Sequence, residues 1–260
     1  MIVLIPVLSI AFMVRYNALI YPLISLIAIL LTRNSVKRKI NYIVIMFFPI
    51  GLFVLFTMYQ YKQETEIWQF SPFSGWQLAN NAMYAYKFVD SASRKPVLPK
   101  FRNLDNMIRR HFDTTRDAKK HPEELSLAST MYMWTRHQPL FKYRDSIFRS
   151  DTISSEFRKW ASMGPFYAEY GKHIIRKYPM YYFKYFIVPN SIRYYSLPLE
   201  YLSYYNEGKD YVQNSAKEWF NYKSNKVFAR TKTVESNLII YYPVYTGIMN
   251  ALFLFLFISF

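Results

Sequence analysis

The chain has 260 residues, a formal net charge of +16, no cysteine and 20% aromatic side chains. The lack of cysteine excludes disulfides, thiolate metal sites and a cysteine nucleophile. So many aromatics at a mean hydropathy of -0.06 do not describe an ordinary water-soluble domain; they fit apolar spans joined to a polar body at a membrane interface.

Met1 to Val14 is apolar, without a basic leader or a convincing small-residue cleavage site, and reads as a poor match to a secretory signal. Both ends of the sequence fall within apolar runs, so the expectation is a segment of a larger polytopic protein. A single helix from Met1 to Leu31 would be about 46 Å long and would carry Arg15 at its middle, where a charge is costly. A break at Arg15-Tyr16-Asn17 resolves this. Arg15 is then either an interface anchor or a contact to the phosphate of a lipid or substrate.

Two apolar runs, Ala18 to Leu31 and Ile40 to Tyr59, flank a loop holding Arg33, Lys37, Arg38 and Lys39 and no acid. The second run matches a hydrocarbon core of ~30 Å. The basic loop, residues 32–39, predicts a helical hairpin with its tip in the cytoplasm. Pro49 and Gly51 predict a kink in the second arm. Residues 1–60 thus form membrane helices, 61–236 an extracytoplasmic helical domain that holds all 17 acidic residues, and 237–260 a last membrane helix. The fold class is mainly α: a multi-pass helical membrane protein with a helical extracytoplasmic domain.

Within the domain, helices are predicted from Ser71-Pro72 or Ser74 through Val89, over Phe101 to Arg116, Ser129 to Phe141 and Ser154 to Met163, and from Pro165 to Lys177. Pro96 and Pro99 mark a loop. Gly164 reads as a helix stop, and Pro179 starts a helix expected to end before Pro189. Tyr178 to Tyr205 holds nine tyrosines. This stretch is either a surface segment with rings at headgroup depth and Lys177, Lys184 and Arg193 near lipid phosphates, or a tyrosine-rich core. A further helix is expected over Asp210 to Tyr222.

Ser71 to Tyr86 concentrates Trp76, Gln77, Asn80, Asn81 and Tyr84 just after a span. Aromatic faces and amides suit sugars, which present C–H faces and many hydroxyls. The competing reading is a helix start whose amides are satisfied internally. Glu64 and Glu66 make a weak acid pair, and Asp113 and Asp117 sit among arginines that explain them by local pairing. His111, His121, His137 and His173 lack metal-ligand spacing, so no metal and no cofactor are expected. No nucleic-acid motif organises the basic residues.

Three phrases, AFMVRYNALIYPLI, GWQLANNAMYAY and YGKHIIRKYPMYYFKYFIVPN, stand in this order along the chain. With the basic loop and spans between them, they resemble the C-terminal part of a bacterial polytopic membrane glycosyltransferase of the C-type fold. That group includes protein mannosyltransferases and the lipid A aminoarabinose transferase. The resemblance implies an inner-membrane enzyme taking a polyprenyl-phosphate-linked sugar, with its main domain periplasmic. The family's catalytic acid lies in the first extracytoplasmic loop, and no residue here matches it. The catalytic residues are thus unknown. The substrate-binding candidates are Arg15, Trp76, Gln77, Asn80, Asn81 and Tyr84. The expected partners are membrane lipid and the lipid-linked sugar, with no nucleic acid. The alternative is a non-catalytic, membrane-anchored envelope protein whose periplasmic domain binds a protein partner or a glycan.

Overall fold

A computed structural model describes residues 4–14, 20–117, 119–121, 124, 130–197, 209–228 and 240–259. The described residues are mainly helical, with one isolated antiparallel bridge, Tyr211 to Lys226, and no strand. They fall into two compact units. The first gathers Met1–Met83, Lys95–Thr114 and Thr130–Ile174; the second gathers Tyr84–Arg94, Thr115–Ser129 and Ile175–Phe260.

The first unit begins with three apolar helices: α1 (Leu4–Val14), α2 (Ile20–Leu31) and α3 (Val36–Thr65). The break predicted at residues 15–17 lies outside the described residues. Leu8, Ile29 and Met46 bury against one another, with Leu26 and Phe47 packed around them. Lys39 Nζ donates to the Leu30 carbonyl at 2.6 Å and ties the hairpin between α2 and α3. α3 runs unbroken past Pro49 and Gly51 for 30 residues, ~45 Å. It stops where Glu66 takes a left-handed conformation and its N–H caps the Lys62 carbonyl.

The body of the first unit is built on α4 (Pro72–Tyr86) and α9 (Gly164–Lys177), which touch backbone to backbone. A Cβ on Gly75 would stand 1.8 Å from the Gly164 carbonyl oxygen, and one on Gly171 would stand 2.7 Å from the Leu78 carbonyl. Only glycine permits that approach. Gly164 is thus the first residue of α9, where the sequence suggested a stop. Around this contact, Trp76 is fully buried against Phe141, Tyr167 and Trp160, with centroids at 5.0, 4.6 and 6.2 Å. Its Nε1–H donates to the Trp160 carbonyl at 2.9 Å. Cutting such a ring to alanine costs about 3–5 kcal/mol.

α5 (Arg102–Thr114) adds Leu104, Ile108 and Phe112 to this core. Its buried Asp105 is held by Arg109 Nε at 2.6 Å and by the Tyr170 hydroxyl at 3.0 Å. The helix expected over Ser129 to Phe141 is two pieces, α6 (Met131–Trp134) and α7 (Pro139–Ile147). Pro139 forces Gln138 into an extended conformation and restarts the helix. α8 (Glu156–Ser162) starts on Ser155, whose hydroxyl accepts from the Arg158 N–H.

In the second unit, α10 (Pro179–Tyr182) passes through a π turn, Phe183–Ile187, into α11 (Val188–Tyr195). The sequence placed a stop before Pro189. The wider turn lets the chain absorb a proline that lacks an N–H. α12 (Asn214–Phe220) is shorter than the stretch expected over Asp210 to Tyr222. Asn221 turns left-handed after it, and residues before it pair in extended form, with the Val212 N–H bonded to the Asn225 carbonyl at 2.8 Å. α13 (Tyr242–Ser259) exposes mainly apolar side chains. α3 and α13 are the described helices long and apolar enough to cross a membrane.

Candidate functional site

A cleft of about 670 Å³ opens in the first unit, beside the start of α4 and α9. Its wall begins on α1. Phe12 stacks on Phe70 at 6.0 Å, and both rings pack edge-on against Phe53 of α3. The cleft therefore reaches from the end of the apolar helices into the polar body. Trp68 and Phe73 line it with exposed ring faces, and Ser71 and Ser74 contribute hydroxyls. Gly75, Gly164 and Pro165 form part of its lining, so the glycine contact that joins the helices also shapes the cavity. Gln69, also in the lining, is fixed by donating to the Ala161 carbonyl at 3.0 Å.

Gln77 and Asn81 stand one turn apart on α4 and face the cleft together. Gln77 Nε2 donates to Asn81 Oδ1 at 2.7 Å, and Asn80 Nδ2 donates to the same oxygen at 3.2 Å. With that oxygen occupied, Asn81 offers its Nδ2 as donor and Gln77 offers its Oε1 as acceptor. Such a pair matches a hydroxyl, which both gives and takes a hydrogen bond. None of the described lining residues carries an ionisable side chain.

Of the six residues singled out in the sequence, the structure brings Gln77 and Asn81 together in the cleft. Trp76 is sealed in the aromatic core. Asn80 is fully buried and braces Asn81 from behind. Tyr84 is fully buried in the second unit, with Lys87 Nζ 5.0 Å from its ring centroid. Arg15 lies outside the described residues. Sequence reasoning missed Phe12, Trp68, Phe70 and Phe73. The clustering of aromatics in WQFSPF, Trp68 to Phe73, was the available signal.

Four of the other acidic and basic candidates have structural partners. Glu66 pairs with Arg158 at 2.7 Å, and Asp117 with Lys120 at 3.8 Å. His111 packs edge-on to Tyr132, and His173 lies 5.4 Å from the Phe101 ring. Among the described residues no three His, Asp or Glu side chains gather as a metal site would require. Burial pushes the Tyr167 hydroxyl well above the usual tyrosine range, and it donates to the Leu140 carbonyl. Burial alone pulls the Lys87 amine down to about 8, against the charge of Glu124, which opposes the shift. Neither group lines the cleft.

No protein family, curated protein or solved structure matches the chain.

Proposed function

We propose that this chain is a membrane-anchored part of a bacterial envelope protein whose cleft binds the neutral sugar of a lipid-linked saccharide. The observation that carries the reading is the cleft's composition. It has aromatic faces for C–H surfaces, an amide pair and two hydroxyls for sugar hydroxyls, and no charged side chain among its described lining residues to select for an ion. Phe12 supports the lipid-linked part, because it belongs to an apolar helix and lines the same cavity. α3 and α13 would cross the inner membrane, and the basic loop at 32–39 would hold its side in the cytoplasm. The body would then face the periplasm.

A second reading follows from the resemblance to C-type glycosyltransferases. In it the same cleft holds a polyprenyl-phosphate donor for transfer to an envelope acceptor. The lining residues would position the sugar. Deprotonation of the acceptor hydroxyl would fall to a carboxylate outside that lining.

Trp68, 57% exposed in the cleft wall, provides the readout. In nanodiscs, a polyprenyl-phosphate glucose should change its fluorescence saturably, and Trp68→Phe should remove the change. Replacing Gln77 and Asn81 together by alanine should weaken binding roughly tenfold, two hydrogen bonds' worth. No saturable signal with this lipid or with a soluble envelope oligosaccharide would sink the binding proposal. Sugar transfer by the full-length protein would favour the enzyme over the binding protein.

A further inference from the structure

We infer that the continuous helical segment from Pro179 to Tyr195 is an interfacial element that lies in the headgroup layer of an anionic membrane. The π turn keeps the helix going through Pro189, and Asn190 Nδ2 donates to the Phe186 carbonyl at 2.7 Å. The segment is seventeen residues, ~26 Å long. One side is half-buried and packs inward where Phe88 stacks on Tyr185 at 3.9 Å, while Tyr182 and Phe186 stack on each other along the segment at 4.9 Å. The other side exposes Met180, Phe183, Ile187, Val188 and Ile192, mostly three or four residues apart, with Lys184 among them and Tyr194 beyond. Met180 is 72% exposed, Ile192 62% and Tyr194 87%. Apolar area left in water forgoes about 25 cal/mol per Å².

Two observations name the occupant of this face. The first is its attachment. Asn250 sits about 12 Å along α13 and donates its Nδ2–H to the Tyr195 carbonyl at 2.6 Å. The Ser196 hydroxyl donates to the Pro243 carbonyl at 2.6 Å. The end of α11 is thus fastened along the first half of an apolar helix, and if α13 spans a bilayer, Tyr195 lies within about 12 Å of where that helix enters it. The second is charge. No Asp or Glu occurs between Glu169 and Glu200, whereas Lys172, Arg176, Lys177, Lys184 and Arg193 do. An apolar stripe flanked by bases alone matches lipid tails below and phosphates above.

This inference rests on the membrane reading of α13 and is independent of what fills the cleft. The absence of native cysteine permits single spin labels in the full chain at Met180, Ile187 or Ile192, with Leu252 on α13 as reference, in vesicles containing phosphatidylglycerol. The three labels should collide more with dissolved oxygen than with a water-soluble nickel chelate. Lys184→Glu should shift the balance at Ile187 toward nickel. Nickel preference at all three positions overturns the inference. So does protection from both reagents, which would mean that a second copy or another protein covers the stripe. An unchanged balance after Lys184→Glu overturns the phosphate contact. If Leu252 also prefers nickel, the membrane reading itself has failed; if Leu252 alone prefers oxygen, only the interfacial helix has.

Discussion

Gly75 decides how near α4 and α9 can come, because any Cβ there would stand 1.8 Å from a backbone oxygen. Gly75→Ala must therefore separate the two helices, and backbone cannot yield as a flexible side chain does. The expected cost is about 3 kcal/mol. Gly51, on α3, has nothing within 4 Å of where its Cβ would be. Gly51→Ala should stay neutral or gain up to about 1 kcal/mol, since alanine is the better helix former. Thermal melting in detergent distinguishes them, and similar midpoints for the two variants would refute the tight crossing. The contact was not legible beforehand because a glycine that ends a helix and one that admits a neighbouring backbone look alike in a sequence. Gln77 and Asn81 were legible as a polar pair one turn apart. Trp76 was legible as important but not as internal, because ring type alone does not tell a binding platform from a core.

At the scale of elements, local chemistry predicted most starts and fewer stops. Ser154, Pro165 and Pro179, the starts expected from the sequence, lie at or within two residues of the helix starts, as capping and fixed φ require. Two of the failures came from proline. Pro139 cut a helix expected to be continuous, whereas Pro189 failed to end one because a π turn preceded it. The hairpin of α2 and α3 was readable because apolar length and loop charge are both local. Its orientation is tested on α3 alone. Lys37 and Gln63 are both exposed, 26 residues apart, ~39 Å along one helix. Single cysteines at these positions, in intact cells, should react with a membrane-impermeant maleimide at 63 and not at 37. Labelling of both from outside would remove α3 as a span.

For the molecule as a whole, the burial of Lys87 predicts a dependence of stability on pH. Its amine donates to the Glu124 carbonyl at 2.7 Å and lies within about 5 Å of the Tyr84 and Phe88 rings. Burial among these groups lowers its pKa from 10.5 to about 8. Below pH 8 the amine is charged in both the folded and the unfolded chain, and the folded state bears the cost of burying it. Between about 8 and 10.5 the folded amine loses its proton while the unfolded one keeps it. The unfolded chain then binds more protons, so stability rises with pH across that window. Buried tyrosines act oppositely. Tyr143 and Tyr167 are raised by burial, so above pH ~10 the unfolded chain ionises first and stability falls. The measurement therefore belongs between pH 7.5 and 9.5, on the lysine side of that crossing. There the melting midpoint should climb, and Lys87→Met, which keeps the apolar stem without the titrating group, should flatten the climb. A midpoint that stays level in the parent chain, or a climb that survives in the variant, would show that Lys87 does not carry the dependence.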